Sequence, residues 1–393
     1  MKIALFSENF YPALSGISDS IMLLAQELSG HGHHVRFYVP TYTQRDYRRG
    51  DTIAAEYAPG GNIEVIRFPS LSFPPASEQR RVVIPIGRAW FSLRKWKPDV
   101  IHTQLCFGMG MEALIAAKLL KIPLIGTNHT PLSEFIHYNP IQGEWVTRLV
   151  LKYVSWYYNQ CRYVTAPSDF LFPEMIRHGF KQPHRALSNP VDTVRFHPPT
   201  PERREEIRRK LGVSGPVLIY TGRLSPEKHV DVCLRAFAEV RRTVPDASFF
   251  VIGQGAAQDD LKKLAQELNL GESVRFLGFV GSEEIVHFYQ GADVFAIAST
   301  AETQCLSMMQ AFACGLPAVA ADAGGLPEFL PPEAGFLIKP GDVAALAEKL
   351  TMFMTNAEAR HQYGARALSY VQKFSAPHIM DEWVALYSAN SFR

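Results

Sequence analysis

Long apolar runs are missing from this chain. No stretch of its 393 residues approaches the roughly 20 consecutive apolar residues that cross a bilayer. The opening residues, Met1-Lys2-Ile3-Ala4-Leu5-Phe6-Ser7, read as the start of a strand and lack the apolar core and cleavage site of a secretion signal. Cysteine is scarce: Cys106, Cys161, Cys233, Cys305 and Cys314 are scattered, with no Cys-x-x-Cys or other metal spacing. Five such residues fit a reducing cytoplasm, as small apolar fillers, better than a disulfide framework. A charge excess is absent too. Lys and Arg number 40 against 38 Asp and Glu, a net charge of +2, so the total gives no field that would gather nucleic acid. Asp-x-Asp does not occur, and no carboxylate clamp for a divalent metal is expected. No cofactor is expected.

What the chain does have is 47% hydrophobic and 20% charged residues, enough for two domains each burying its own core. Short apolar runs alternate with helical patterns. Ile3–Phe6, Val35–Pro40, Pro98–Gln104, Pro123–Thr130 and Tyr163–Ser168 read as strands of a first parallel sheet. Val217–Tyr220, Phe249–Ile252, Val274–Val280, Val294–Ala298, Ala318–Ala320 and Gly335–Ile338 read as a second. The pattern predicts an α/β protein of two doubly wound domains facing a cleft. We place the domains at 1–196, completed by a C-terminal helix over 377–393, and at 197–376. Composition shifts at Pro198–Pro201 and the densely charged run Glu202–Lys210, which read as the passage between them. Residues 41–81 read as mostly irregular and polar, Pro-rich around Pro69–Pro75, a long excursion.

The stretch 298–328, ASTAETQCLSMMQAFACGLPAVAADAGGLPE, organises the rest. Its lead-in strand ends at Ser299-Thr300, which can cap the next helix. Leu306–Ala313 is predicted helical, and Gly315-Leu316-Pro317 stops it. Such a loop lies at a strand's C-terminal end, where open α/β sheets hold ligands. Glu302, in the loop, and Gln310, eight positions on, can hold two parts of a polyhydroxylated ligand, while the amides of Thr303, Gln304 and Cys305 face the same place. A solvated glutamate and a surface glutamine are the bland alternative. Upstream, Gly222-Arg223-Leu224-Ser225-Pro226-Glu227-Lys228 sets two fixed cations beside a glycine turn, a pattern that neutralises a diphosphate. In the first half, Ser15-Gly16-Ile17-Ser18-Asp19 opens a helix where an anion is favoured. His102 and His129 stand at the ends of two neighbouring strands, where an imidazole can orient a sugar hydroxyl.

These stretches resemble the retaining glycosyltransferases of family 4, which have the GT-B fold. That family's site carries Glu, seven residues, Glu, then Ala-x-Ala-x-Gly-x-Pro-Val-Val-Ala. Glu302, Ala311, Ala313, Gly315, Pro317, Val319 and Ala320 match it, while Ala318 and Gln310 depart from it. Ser15 stands where members often have a glycine, and Pro190 replaces the glycine of an Asn-Gly-Val-Asp crossing, here Asn189-Pro190-Val191-Asp192. The resemblance implies a metal-independent hexosyltransferase with His129, Arg223, Lys228 and Glu302 as catalytic residues. It implies a nucleoside diphosphate sugar as donor, UDP over GDP and UDP-glucose favoured. Gly16, Gly222, Gly253, Phe279, Val280, Thr303, Gln304, Cys305, Leu306 and Gln310 would contact that donor, with Phe279 and Val280 beside the base. Asp19, His102 and Tyr138 fall on the acceptor side.

Glu302-Thr303-Gln304 resembles members that glycosylate membrane lipids, so diacylglycerol or another glycan precursor is the expected acceptor. Basic and aromatic residues mix over 80–97, where Val82–Trp96 reads as one amphipathic helix, and aromatic residues are frequent over 132–145. Both stretches suit peripheral contact with the inner face of the cell membrane; a solvated helix packed on the sheet is the alternative. Two other functions stay open at this point. One is a non-catalytic sugar-nucleotide binder, suggested by Gln310 and Ser15. The other is an epimerase or hydrolase of the same donor.

Overall fold

Strands built from fully buried apolar runs, with amphipathic helices between them, form two all-parallel sheets in a computed structural model. The structure describes residues 1–13, 15–49, 60–72, 81–131 and 144–391. The chain divides into two compact units, Met1–Pro190 with Ala376–Arg393, and Val191–Ser375.

The strands of the first unit are β1 (Lys2–Phe6), β2 (His34–Pro40), β3 (Ile63–Phe68), β4 (Leu71–Ser72), β5 (Arg81–Val82), β6 (Val100–Thr103), β7 (Leu124–Thr127), β8 (Tyr163–Ala166) and β9 (His184–Ala186). Seven of them make one sheet in the order β3-β2-β1-β6-β7-β8-β9, and β4 with β5 forms a small antiparallel ribbon. The order reverses between β1 and β6, the switch point where such sheets open a crevice. The loop after β1 enters the helix Gly16–Gly30. Ser15 is that helix's N-cap: its Oγ accepts from Ser18 N at 3.1 Å, and Ser18 Oγ accepts from Ser15 N at 2.8 Å. A serine in place of glycine thus supplies a reciprocal cap.

The second unit holds β10 (Val217–Thr221), β11 (Ser248–Ile252), β12 (Val274–Gly278), β13 (Val294–Ile297), β14 (Ala318–Ala321) and β15 (Gly335–Ile338), ordered β12-β11-β10-β13-β14-β15. Its switch point lies between β10 and β13. The helix Val230–Thr243 shows how the layers close: Val230, Cys233, Leu234, Phe237 and Val240 recur at helical spacing and are all buried.

Three expectations need correction. Residues 41–81 are not wholly irregular: β3 is the edge strand of the first sheet, paired along its full length with β2. Ile63-Glu64-Val65-Ile66-Arg67-Phe68 is short and only partly buried, which weakens its apolar signal. Nor is Val82–Trp96 one helix. The helix covers Ala89–Trp96, because Val82, Val83 and Ile84 lead into Pro85 and Gly87, the latter at φ +76°. Buried Glu112 then closes the helix start, accepting from the amides of Ile86, Gly87 and Ala89 at 2.5, 2.8 and 3.1 Å.

The charged run Glu202–Lys210 is the third. It is not a passage between units but the helix Pro201–Leu211 inside the second, capped by the Thr200 side chain and stopped by Gly212 at φ +64°. Its docking depends on Asp293, which is buried. Asp293 meets Arg204 at 2.8 Å, Arg208 at 3.0 Å and Arg360 at 3.5 Å, and accepts from Val217 N at 2.8 Å. Removing that carboxylate takes the shared anion from three guanidinium groups, which keep only carbonyl partners, and leaves the Val217 amide without its acceptor. We expect Asp293→Ala to destabilise the protein by about 3 kcal/mol in urea unfolding; an unchanged midpoint would show that the cluster contributes nothing.

Candidate functional site

The loops that follow β10, β11, β12, β13 and β14 all leave the second sheet at its C-terminal edge, since every strand runs the same way. Main-chain bonds tie their starts together. Gly222 N donates to Ile252 O at 3.0 Å, Gly253 N to Gly278 O at 2.8 Å, and Leu224 N to Gln254 O at 3.0 Å. Gly253, at φ +136°, packs so closely that a Cβ there would lie 1.8 Å from Gly222 O. Packing at this edge therefore requires glycine at position 253, which the family resemblance places among the donor contacts.

From this edge rise the two cations. Tyr220 Oη donates to Arg223 O at 2.9 Å and fixes the turn, and Arg223 meets Glu227 at 3.4 Å. Lys228 closes the short 3-10 turn Pro226–Lys228 and pairs with Glu302 at 2.7 Å, each side chain 13% exposed. The loop that carries Glu302 is held on both sides. Thr300 N donates to Glu227 O at 3.3 Å, and Gly325 N donates to Glu302 O at 2.7 Å. Gly324, at φ +57°, lets that second contact form, since a Cβ there would come within 2.6 Å of Glu302 O. Burial disfavours the Lys228 ammonium, but the Glu302 carboxylate outweighs it and raises the lysine above its ordinary value.

Leu306–Ala313 is helical as expected, but Ser299 and Thr300 do not cap it. Its N-cap is Cys305, whose side chain makes no capping hydrogen bond. Ser299 instead lies near Glu227 O, at 3.4 Å. Cys305 is buried, its Sγ 3.2 Å from Ser307 Oγ, and Gln304 is buried too, while Thr303 and Leu306 are partly covered. On the second turn, Gln310 Oε1 accepts from Tyr289 Oη at 3.2 Å, and that hydroxyl also meets Thr221 Oγ1. Phe279, just past β12, is 48% exposed, and Val280 beside it is half-buried. Arg223, Lys228, Glu302, Gln310 and the start of this helix thus gather at one sheet edge.

The first unit carries the remaining predicted residues. Gly16 opens its helix, exposed, and Asp19 one turn on accepts from Tyr11 Oη at 2.7 Å. His129 follows β7 and is 8% exposed; burial lowers it to about 3, so it is neutral at pH 7. His102, on β6, is fully buried and presents no surface to an acceptor. It meets Thr127 Oγ1 at 2.7 Å and Tyr387 Oη at 2.8 Å. Tyr138 lies outside the described residues, as does 132–143. Sequence reading missed Gln104, Tyr289 and Tyr387. Gln104 left a signal as a polar residue directly after a buried strand; the two tyrosines read as core. Among the described residues, no three His, Cys, Asp or Glu side chains gather as a metal set.

The Lys228–Glu302 pair has a measurable consequence. Lys228→Met leaves a buried carboxylate alone, and we expect a loss of about 1–3 kcal/mol in unfolding, mostly regained in Lys228→Met/Glu302→Gln. Since the folded-state value lies above 10.5, the pair's contribution is complete below pH 10.5 and is lost as pH rises through the raised value. A stability curve flat from pH 8 to 12 would contradict this.

The model of Glycosyltransferase Family 4 matches residues 14–195, and that of Glycosyl transferases group 1 matches residues 203–369. Alpha-monoglucosyldiacylglycerol synthase of Streptococcus pneumoniae is 31% identical over 325 residues, covering 81% of this chain and 71% of the relative. A GDP-mannose-dependent alpha-mannosyltransferase of Mycobacterium tuberculosis is 28% identical over 99% of this chain and 97% of its own. Among solved structures, Anabaena HepE in complex with UDP-glucose superposes with a TM-score of 0.78 at 21% identity, over 99% of this chain and 100% of that one. With two parallel-sheet units of this topology, the chain has the GT-B fold. It belongs to the group 1 glycosyltransferases of family 4.

Proposed function

We propose that this glycosyltransferase moves a hexose, glucose first among candidates, from a UDP-sugar to a membrane lipid such as diacylglycerol, with retention and without a metal. The observation that carries the reading is the Lys228–Glu302 pair at the strand-end edge that also bears Arg223, itself paired with Glu227, beside a helix whose N-cap side chain makes no capping bond. In it, Arg223 and Lys228 take the diphosphate and neutralise the charge that grows as the glycosidic bond breaks. The helix start adds main-chain donors. Glu302, already fixed by Lys228 and the Gly325 amide, receives sugar hydroxyls, and Gln310 meets the ribose. His129, neutral, orients a hydroxyl. The C1–phosphate bond breaks toward the nucleotide, the acceptor oxygen joins C1 on the same face, and its proton passes to the leaving phosphate.

The pneumococcal relative's name gives glucosyl and diacylglycerol; the mycobacterial relative's gives GDP-mannose. Thermal-shift measurements with UDP-glucose, UDP-galactose and GDP-mannose separate these. We expect UDP-glucose to raise the melting temperature and the shift to vanish in Arg223→Ala. A Gln310→Glu variant should bind the donor about 1 kcal/mol tighter, since a carboxylate accepts stronger bonds than an amide. Weaker binding would refute that role for Gln310. A shift with a donor but no transfer to any lipid acceptor would favour a non-catalytic sugar-nucleotide binder. Donor consumed without acceptor would favour a hydrolase or epimerase.

Lipid as acceptor draws support from the helix Glu144–Tyr158. Val146, Leu151, Val154, Tyr157 and Tyr158 are buried, whereas Trp145, Arg148, Leu149, Lys152 and Trp156 form an exposed stripe, Trp145 at 69%. Trp145, Arg148, Leu149 and Lys152 also line a cavity of about 450 Å³. Phe91, on the helix Ala89–Trp96 with Arg94 and Lys95, is 72% exposed. Aromatic and aliphatic side chains among cations suit an anionic interface. No helix among the described residues is long and apolar enough to cross a membrane. We expect Arg148→Glu/Lys152→Glu to reduce co-sedimentation with anionic phospholipid vesicles by about tenfold, as two charge reversals near such a surface should, while leaving the donor-induced thermal shift intact. Full vesicle binding by that variant would remove the helix from the reading.

A further inference from the structure

We propose that Gln104 and His102, backed by Tyr387 and Trp383 of the C-terminal helix, fix the tautomer and orientation of His129, so that the last helix of the chain is a supporting part of the histidine site. The proposal rests on the reading of His129 as a residue that meets a substrate hydroxyl.

Hydrogen-bonding capacity sets the proton positions. Gln104 is 2% exposed and lies between the two histidines. Its Oε1 is 2.7 Å from His129 Nε2, and its Nε2 is 3.1 Å from His102 Nε2 and 3.3 Å from His102 Nδ1. An amide oxygen can only accept, so His129 Nε2 must carry the proton. A buried neutral imidazole holds one proton; Nδ1 is therefore left with a lone pair and can accept from a hydroxyl. Reversing the amide would point an N–H at His129 and invert that tautomer. What prevents reversal is His102, whose ring favours the amino group on its side.

His102 is in turn held from three directions. Tyr387 Oη lies 2.8 Å from Nδ1 and Thr127 Oγ1 lies 2.7 Å from Nε2, with Thr165 Oγ1 a further 2.7 Å from Thr127 Oγ1. Burial keeps the Tyr387 phenol protonated by raising it well above its ordinary value, and burial, then the charge of His129, lowers His102 to about 3. One consistent arrangement follows: Nδ1–H donates to the phenol oxygen of Tyr387, the unprotonated Nε2 accepts from the Gln104 amino group and from Thr127 Oγ1, and Thr165 donates to Thr127. The ring of Trp383 lies against His102 with centroids 4.5 Å apart. Trp383 and Tyr387 sit one turn apart on the helix Ala376–Asn390, so a single helical face supplies both contacts. A chain of this kind acts as outer-shell partners do, by restricting which proton arrangement the working residue adopts.

The test uses full-length protein with ¹⁵N-labelled histidine, the His129 signals being identified by their loss in His129→Gln. We expect Gln104→Leu to lower kcat by about 10²-fold and Tyr387→Phe by about fivefold, with the KM for the sugar donor and its thermal shift unchanged. The ¹⁵N signals of His129 should move in both variants from separated protonated and unprotonated positions toward averaged ones. Gln104→Glu, which can still accept from His129, should retain more activity than Gln104→Leu. Unchanged ¹⁵N positions in Tyr387→Phe would overturn the proposal, and that milder variant keeps it testable if Gln104→Leu fails to fold. If His129→Gln transfers sugar at the wild-type rate, the reading of His129 as a substrate contact fails, yet the ¹⁵N shifts still decide whether the relay sets its tautomer.

Discussion

Parallel strand pairing is the constraint on which the rest depends. In each unit every ladder of the main sheet runs the same way, so all strand C-termini lie along one edge and every loop that follows a strand begins there. Residues far apart in the chain, such as Lys228 and Glu302, meet because β10 and β13 are adjacent in the sheet. The same rule in the first unit brings Gln104, after β6, to His129, after β7. Neither meeting needs any long-range feature beyond strand order.

Burial then decides how those residues behave. The Glu302 carboxylate keeps the nearly enclosed Lys228 ammonium charged despite its burial. The histidines meet the opposite outcome: among the described residues no carboxylate bonds to them in the buried relay, desolvation wins, and both stay neutral. Similar enclosure therefore gives a charged pair in one unit and an uncharged chain in the other, and the difference lies in whether a partner of opposite sign is within reach.

Glycine and helix starts set the backbone frame. Gly324 admits the Gly325–Glu302 contact and Gly253 lets the starts of two loops touch, while Ser15 closes a helix that the family often opens with glycine. Departures from a family pattern are thus of different kinds: Ser15 has a local hydrogen-bonding replacement, whereas Gln310 changes an acceptor into an amide already engaged by Tyr289.

Much of this was legible in the residues. Apolar runs fixed strands β1, β2, β10, β11, β13 and β14 to within a residue or two, because fully buried strands carry continuous hydrophobic sequence. A glycine turn and charge spacing singled out Arg223 and Lys228, since turns at strand ends are written in local chemistry, whereas Glu302 and His129 were singled out chiefly by the family resemblance. Partly exposed β3 was not legible; the break before Ala89 was written in Pro85 and Gly87, but its anchoring by Glu112 from another helix was not. The tertiary structure alone decided that Glu302 pairs with Lys228, that Asp293 gathers three arginines, and that His102 is enclosed between Thr127 and Tyr387, 285 positions apart from the latter. These are contacts across the sheet order, and sequence separation carries no record of which strands become neighbours.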